Sequence, residues 1–219
     1  MSFGFGNVNP KSDKVYLREA GIHENAKFLG LGYDATEQYE YFDIEIETAD
    51  GKYFRERTFG PNKEKVYPKD KYQNRKKIGT ETKDEAFERV QQEINTKLFY
   101  LAACFCEKDA LVHKVAKVKT LKELVEAVKS AIGEPTNTIN FLTIWKNSDA
   151  KQKSNLIIAD RVKWCEKHTE GRKAAIQLSK YQITNNTVEK YPYVANNEVE
   201  NNDSLVPQEP VGDVSDLPF

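Results

Sequence analysis

The strongest structural signal in the chain lies in residues 41–59, which have the sequence YFDIEIETADGKYFRERTF. Apolar and polar side chains alternate strictly from residue 41 to residue 48, and a second alternating run covers residues 53–59. Such alternation is typical of strands that bury one face. The Asp50-Gly51 pair between the two runs is a turn sequence, so the stretch predicts an antiparallel β-hairpin.

Charge decides the register of this hairpin. A two-residue loop would place Glu45 opposite Glu56, and like charges in direct opposition destabilise a pair of strands. A three-residue loop, with Gly51 in the left-handed conformation, brings opposite charges together and pairs two apolar residues. The predicted cross-strand pairs are Glu45 with Arg55, Asp43 with Arg57, and Ile46 with Phe54. The outer face then carries Tyr41, Tyr53, Arg55, Arg57 and Phe59.

Two segments flank the hairpin. Residues 26–33 predict a first strand, in which Gly30 and Gly32 indicate a bulge or a sharp bend. Residues 61–79 are predicted to form a loop, because they contain two prolines, many lysines and no periodicity.

The second half of the chain adds helices and then strands. Two helices are predicted as an insert at about residues 82–133, and each begins with a capping box, at Thr82 and at Thr120. Apolar residues then recur every three or four positions along both helices. Two further strands are predicted at residues 139–146 and at about residues 156–166.

This order of elements predicts a mainly β fold with an α insert. We expect a five-stranded OB-fold barrel with a two-helix insertion between strands 3 and 4. A ferredoxin-like sandwich would need a helix after its first strand, and residues 33–41 are too short for one. Residues 1–12 are expected to form a flexible N-terminus, residues 13–194 the domain, and residues 195–219 a disordered acidic tail.

Charge is distributed unevenly along the 219 residues. The chain holds 33 Lys and Arg against 34 Asp and Glu. Six of the acids but no Lys or Arg fall in residues 195–219, so residues 1–194 carry a net charge of +5. No apolar run approaches the roughly 18 residues needed to span a bilayer, and the N-terminus lacks the features of a secretion signal. Three cysteines without a framework of spacings indicate a reducing cytoplasm.

The acidic tail is predicted to end in a partner-binding tip. Its last residues are Asp216-Leu217-Pro218-Phe219, and Asp213 precedes them. An aromatic ring suits an apolar pocket on a partner, and carboxylates suit a basic rim around it. The tip resembles the C-terminal tip of bacterial single-stranded DNA-binding proteins, which end in acids followed by an apolar residue, Pro and Phe.

The body of the chain carries a second resemblance. Residues 16–24, YLREAGIHE, lead into the first strand, and the hairpin is followed by Phe59-Gly60-Pro61. This order is similar to that of the OB-fold single-stranded DNA-binding proteins of tailed bacteriophages, in which helices are inserted before the last two strands. The resemblance covers about residues 15–167. It departs from the cellular bacterial proteins in its long insert, so their oligomeric state is not carried over.

The resemblance implies a binding protein rather than an enzyme, located in the cytoplasm of a bacterial host. It would bind single-stranded DNA largely without sequence specificity, and protect and organise it during replication, recombination and repair. Proteins of these processes would bind the C-terminal tip. A homo-oligomer is compatible with this family, and no cofactor, metal or membrane partner is expected.

Binding of single strands requires cations for the phosphates and aromatic faces for the unpaired bases. The candidate DNA-binding residues are Tyr41, Tyr53, Arg55, Arg57, Phe59, Lys63, Lys65, Tyr67, Lys69, Lys71, Tyr72, Arg75, Lys76, Lys77, Trp145 and Lys146. The candidate partner-binding residues are Asp213, Asp216, Leu217, Pro218 and Phe219.

These candidates also have structural explanations. Arg55 and Arg57 can act only as partners of the strand carboxylates. Tyr41 and Tyr53 can be ordinary strand residues on a half-covered face, and the lysines can belong to an ordinary solvated loop. Trp164 is predicted to lie in the core, whereas Trp145 suits the core and a base-stacking platform equally well.

Two other functions remain open. Asp43, Glu45 and Glu47 project from one strand face, as the metal-ligating carboxylates of a metal-dependent nuclease would. Alternatively, an OB-type barrel can bind polypeptide and act as a protein-recruiting adaptor. A zinc site that includes Cys104 and Cys106 is disfavoured, because two residues that lie two apart on a helix point in nearly opposite directions.

Overall fold

A computed structural model describes residues 14–74 and 76–192 of the chain. The predicted N-terminal segment 1–12 and the predicted acidic tail 195–219 lie outside the described residues. The same holds for some of the candidate site residues: Arg75, Asp213, Asp216, Leu217, Pro218 and Phe219.

The described part of the chain is mainly β. Its strands are β1 (Gly21–Ala35), β2 (Glu40–Glu47), β3 (Tyr53–Phe59), β4 (Asp70–Gln73), β5 (Lys76–Thr80), β6 (Ile139–Ser148), β7 (Lys153–Ile158) and β8 (Cys165–Lys167). Six of them form a curled, open antiparallel sheet, a half-barrel, in the order β3-β2-β1-β6-β7, with β8 paired to β6. The mainly β class with a helical insert is therefore confirmed, but the predicted count of five strands is wrong.

The hairpin of β2 and β3 has the predicted register. Glu45 lies opposite Arg55, and Ile46 lies opposite Phe54. The backbone N–H of Thr48 donates to the carbonyl of Lys52 at 2.9 Å, which leaves a three-residue loop. Gly51 within that loop has a φ of 81°, a left-handed conformation that glycine adopts without strain. Pairing of opposite charges was thus a sufficient guide to the register.

The long strand β1 joins the two halves of the sheet. Its second half pairs with β2, and its first half pairs with β6. The predicted strand at residues 26–33 is therefore confirmed but is too short. The register shifts between Phe28 and Gly30, which confirms the bulge expected near the glycines. The bulge lets one strand bend and take part in both halves.

Two stretches differ from the predicted elements. Residues 61–79 are not all loop, because β4 and β5 form a separate two-stranded hairpin there. The strand predicted at residues 156–166 is interrupted, because Arg161 adopts a left-handed φ of 59° and ends the extended backbone. The chain becomes extended again at Cys165, where the short β8 pairs with β6.

The insert contains three helices rather than the predicted two. They are α1 (Lys83–Ala102), α2 (Lys108–Val115) and α3 (Leu121–Ile132), and α4 (Lys180–Asn185) comes after the sheet. Both predicted capping boxes are present, at Thr82 and Thr120. The start of α2 has no side-chain cap, so it lacks the pattern that reveals its neighbours. Within the described ranges, no helix is long and apolar enough to cross a membrane.

One main hydrophobic core lies between the sheet and the insert. Phe42, Ile44 and Ile46, the alternating apolar residues of β2, are fully buried there. Leu98 of α1 and Val125 of α3 belong to the same cluster. Because the insert covers the inner face of the hairpin, the opposite face is left for other contacts.

A buried carboxylate connects the two end strands of the open sheet. Glu56, on the inner face of β3, accepts a hydrogen bond from the backbone N–H of Ile158 in β7. The ammonium group of Lys97 in α1 pairs with its other carboxylate oxygen. Glu56 is 7% exposed, and a carboxylate so deeply buried must be paired. This single side chain therefore links β3, β7 and α1.

Candidate nucleic-acid interface

Asp43 lies at the centre of the outer face of β2 and β3, where it holds both arginines. Arg57 donates two hydrogen bonds to its carboxylate, at 3.0 and 3.1 Å, and Arg55 donates another. Burial would raise the pKa of Asp43, but the hydrogen bonds from the two guanidinium groups outweigh it and lower the pKa. The arginine side chains remain 44% and 41% exposed. Asp43 therefore fixes their positions and leaves them at the surface.

Tyr41 and Tyr53 lie on this face as predicted, but their rings are covered. They are only 9% and 6% exposed. The guanidinium of Arg57 lies 3.8 Å from the centre of the Tyr41 ring. Tyr16 packs edge-on against Tyr53 with 5.4 Å between ring centres, and the Lys14 ammonium lies 3.8 Å from the Tyr53 ring. Neither ring therefore offers an open face for stacking, and the alternative that both are strand residues of a covered face fits their burial.

The exposed rings of the interface are Phe59 and Tyr39, at 52% and 43% exposure. Their ring centres are 5.6 Å apart, and Phe59 also contacts Tyr41 at 5.9 Å. The ammonium of Lys65 lies 3.7 Å from the centre of the Tyr39 ring. Arg57, Tyr41, Phe59, Tyr39 and Lys65 therefore form one continuous row of cations and rings, called here the cation–ring row.

Tyr39 was absent from the candidates derived from the sequence. It lies in the turn between β1 and β2, where its carbonyl accepts the backbone N–H of Thr36 at 2.7 Å. The alternation of the sequence could have identified Tyr39, because it lies two residues before Tyr41 and continues the outer-face series of Tyr41 and Asp43.

Beside the cation–ring row, β1 contributes an open stretch of backbone at its glycines. Gly30 lies opposite Glu45 and Gly32 lies opposite Asp43, on the same outer face. A β-carbon added at either glycine would meet no atom within 4 Å. The surface is therefore open down to the strand backbone, and glycine allows a flat group to approach that backbone closely.

The hairpin of β4 and β5 and the segment before it carry most of the remaining candidates. Tyr67 before it and Tyr72 within it are 85% and 64% exposed, and Lys76 is exposed as well. The other lysines make ion pairs at the surface: Lys63 with Asp84, Lys69 with Glu93, Lys71 with Glu85, and Lys77 with Asp70. Exposed pairs of this kind contribute little free energy, so phosphate groups can replace the carboxylates.

The two tryptophans are both buried. Trp164 is 2% exposed, as predicted, and its indole N–H donates to the carbonyl of Lys97 at 3.1 Å. Trp145 is 4% exposed, and its backbone pairs with the segment after α4. Asn186 in that segment exchanges hydrogen bonds with the Trp145 backbone, at 2.7 and 2.9 Å. Trp145 is therefore not an open base-stacking platform, whereas Lys146 beside it is exposed.

Two of the three strand carboxylates considered for metal binding, Asp43 and Glu45, have arginine partners. Asp43 accepts hydrogen bonds from Arg55 and Arg57, and Oε1 of Glu45 lies 3.7 Å from Nε of Arg55. In residues 14–74 and 76–192, no group of three or more His, Cys, Asp or Glu side chains is arranged to hold a metal ion. Cys104 and Cys165 lie in the core with their sulfur atoms 3.7 Å apart, and burial raises the pKa of the Cys165 thiol. They are packed as core thiols.

No protein-family model, curated protein or solved structure matches this chain. The geometry of the interface therefore provides the evidence for a function. That surface combines guanidinium groups fixed by Asp43, exposed aromatic rings and the open backbone of β1 at its glycines. It suits a ligand that carries both negative charges and flat rings.

Proposed function

We propose that this protein binds single-stranded DNA, largely without sequence specificity, through the outer face of an OB-fold-like barrel. The resemblance to the single-stranded DNA-binding proteins of tailed bacteriophages supports the proposal. The observation that carries it is the cation–ring row, in which charged groups and aromatic rings touch one another along one surface.

The row offers two kinds of contact to a single strand. The exposed faces of Phe59 and Tyr39 can stack on unpaired bases, and such stacking contributes about 1–3 kcal/mol per base. Arg57 and Lys65, at the two ends of the row, can bind phosphates. Stacking accepts any base, so this mode of binding needs no particular sequence.

The lysines of residues 63–77 extend the charged surface beyond the row. Tyr67 and Tyr72 add two more exposed rings in the same segment. In this proposal the segment guides the strand past the sheet, and the exposed ion pairs of its lysines open to admit phosphates. Each exchange releases counterions, so binding weakens as the salt concentration rises.

The proposed cellular role is to protect and organise single strands during replication, recombination and repair in a bacterial host. The C-terminal tip would recruit proteins of these processes, since it combines an aromatic ring with carboxylates. In this role the protein acts by binding rather than by catalysis.

Photochemical cross-linking tests the placement of the strand. An oligo-dT that carries 5-iodouracil is irradiated with the full chain, and the adducts are mapped by mass spectrometry. We expect adducts on Phe59 and Tyr39. Adducts confined to α4 or to the helical insert would contradict the proposed surface. Mg²⁺ or Mn²⁺ added to the same mixture leaves the DNA intact if the protein only binds, whereas cut strands would favour the nuclease.

A further inference from the structure

The helical insert contains a groove that DNA binding does not use. It has a volume of about 800 Å³ and lies between α1 and the α2–α3 pair. It reaches Glu40 at the start of β2 and Pro61 just after β3. Its walls are mostly apolar, and several of the side chains are only half-buried: Phe87, Phe99, Tyr100, Val115, Val118 and Leu124. An apolar groove of this size suits two or three apolar side chains of a peptide.

The border of the groove is basic on the side of α2 and α3. Residues 114–122 contain four lysines and no acid, and all four lysines are exposed. Lys119 lies in the groove wall itself, together with Glu40. The charges of Lys119 and Glu40 cancel in the lining, so the lysines at the border are what suits a segment in which acidic residues accompany large apolar ones.

The chain itself contains such a segment beyond the described residues. Asp213 and Asp216 are each followed by an apolar residue there, and Leu217, Pro218 and Phe219 come directly after Asp216. Residues 193–219 contain no Lys or Arg and six acids, so their charge is opposite to that of residues 114–122.

Length permits this contact within one molecule. The 27 residues after Pro192 can span up to roughly 90 Å when extended. A compact domain the size of the described part has a radius of gyration of about 16 Å. The segment is therefore long enough to reach the groove from any point of the surface.

We propose that the groove of the insert binds the chain's own segment 213–219, with Leu217 and Phe219 against the apolar walls and the aspartates near Lys119. The groove is then the resting site of the tip, and a partner protein must compete with it. The inference does not depend on DNA binding, because none of the groove residues belongs to the cation–ring row.

The test places a photo-cross-linker in the tip of the full chain. Phe219 is replaced by benzoyl-phenylalanine, the sample is irradiated without DNA, and the cross-linked peptides are identified by mass spectrometry. We expect most cross-links on residues 87–100 and 111–124. The same amino acid at position 204 serves as the control and is expected to give few cross-links there. Cross-links from position 219 spread over other surfaces, or no more frequent than those from position 204, would overturn the proposal.

Charge reversal gives a second readout. Lys119→Glu is expected to reduce the groove cross-links at least threefold at low salt, whereas Lys151→Glu, an equal change outside the insert, leaves them unchanged. Equal yields in the two variants would contradict the charge pairing. Binding of oligo-dT is measured on the same samples, so a failure of this inference is distinguished from a failure of the proposed function.

Discussion

Among single residues, Phe59 and Tyr39 are expected to contribute most to binding. Their rings are the exposed members of the cation–ring row. Loss of one stacking ring costs about 1–3 kcal/mol per base, so Phe59→Ala is expected to weaken binding of oligo-dT roughly 5- to 150-fold. Fluorescence anisotropy measures the change, and Tyr39→Ala is expected to fall in the same range.

Tyr181→Ala provides the matched control for these variants. Tyr181 is 71% exposed on α4, away from the row. Its loss is expected to leave the affinity within twofold of the native value. An equal loss in Tyr181→Ala and Phe59→Ala would show that the row has no special role.

Asp43 couples the order of the interface to pH. Its pKa is lower in the folded chain than the ordinary value of 3.8, because Arg57 and Arg55 hydrogen-bond the charged form. A lowered pKa stabilises the fold above the ordinary value, and this stabilisation is lost as the pH falls through the folded value. Asp43→Asn is therefore expected to cost about 2 kcal/mol in the free energy of unfolding at pH 7.

Urea denaturation at a series of pH values checks the coupling. The difference between the native chain and Asp43→Asn is expected to shrink as the pH falls below 3.8. A difference in the free energy of unfolding that stays constant from neutral pH to well below pH 3.8 would contradict the role assigned to the carboxylate.

The comparison of Tyr41 with Asp43 shows what sequence could predict for single residues. The alternation placed both on the outer face, and charge assigned arginines to Asp43. Burial of Tyr41 could not be predicted, because Arg57 covers its ring as well as binding Asp43. Likewise, Tyr53 is covered by Tyr16, which precedes the sheet in sequence and has no strand pattern of its own.

Among elements, the connection of β3, β7 and α1 depends on Glu56. Its carboxylate receives the backbone N–H of Ile158 and the ammonium of Lys97. Removal of one member of a buried pair leaves the other without compensation. Glu56→Ala is therefore expected to lower the free energy of unfolding by about 3 kcal/mol, as measured by urea denaturation.

Glu47→Ala is the control for this loss. Glu47 ends β2 at an exposed position, and exposed substitutions usually change stability by less than about 0.5 kcal/mol. Similar losses for Glu47→Ala and Glu56→Ala would contradict the bridging role.

The hairpin of β4 and β5 is expected to act through charge. Each phosphate contact with a single strand contributes about 0.7 to the slope of log K against log salt concentration. Replacement of Lys76 and Lys77 by Ala is expected to reduce that slope by about 1.4. Lys151 and Lys153, replaced together, serve as the control and leave the slope unchanged. An unaltered slope in the hairpin variant would exclude this element from the DNA contact.

The elements that sequence predicted well are those with strong local patterns. The β2–β3 hairpin has strict alternation and paired charges, and α1 and α3 have capping boxes. By contrast, β4 and β5 are short and rich in lysine, and α2 lacks a side-chain cap. None of these three elements has a sequence pattern that distinguishes it from a polar loop. The backbone of Trp145 accepts a hydrogen bond from Asn186, about 40 residues further on, and no local pattern reports such a contact.

In the whole molecule, the two faces of the curled sheet have different surroundings. The helical insert packs against the inner face. The outer face carries the cation–ring row beside the open backbone of β1 at its glycines. DNA on one face and a tip in the groove of the insert would therefore occupy different surfaces. The two proposals therefore predict that a strand on the outer face does not compete with the tip for the groove.

Competition between oligo-dT and duplex DNA for the full chain tests the central claim most directly. Fluorescent oligo-dT of several lengths and a duplex of matched length are titrated at two salt concentrations. We predict that oligo-dT binds much more tightly than the duplex, that its affinity rises with length until the surface is filled, and that salt weakens it. Equal affinity for both forms, or no binding of oligo-dT at low salt, would contradict the account.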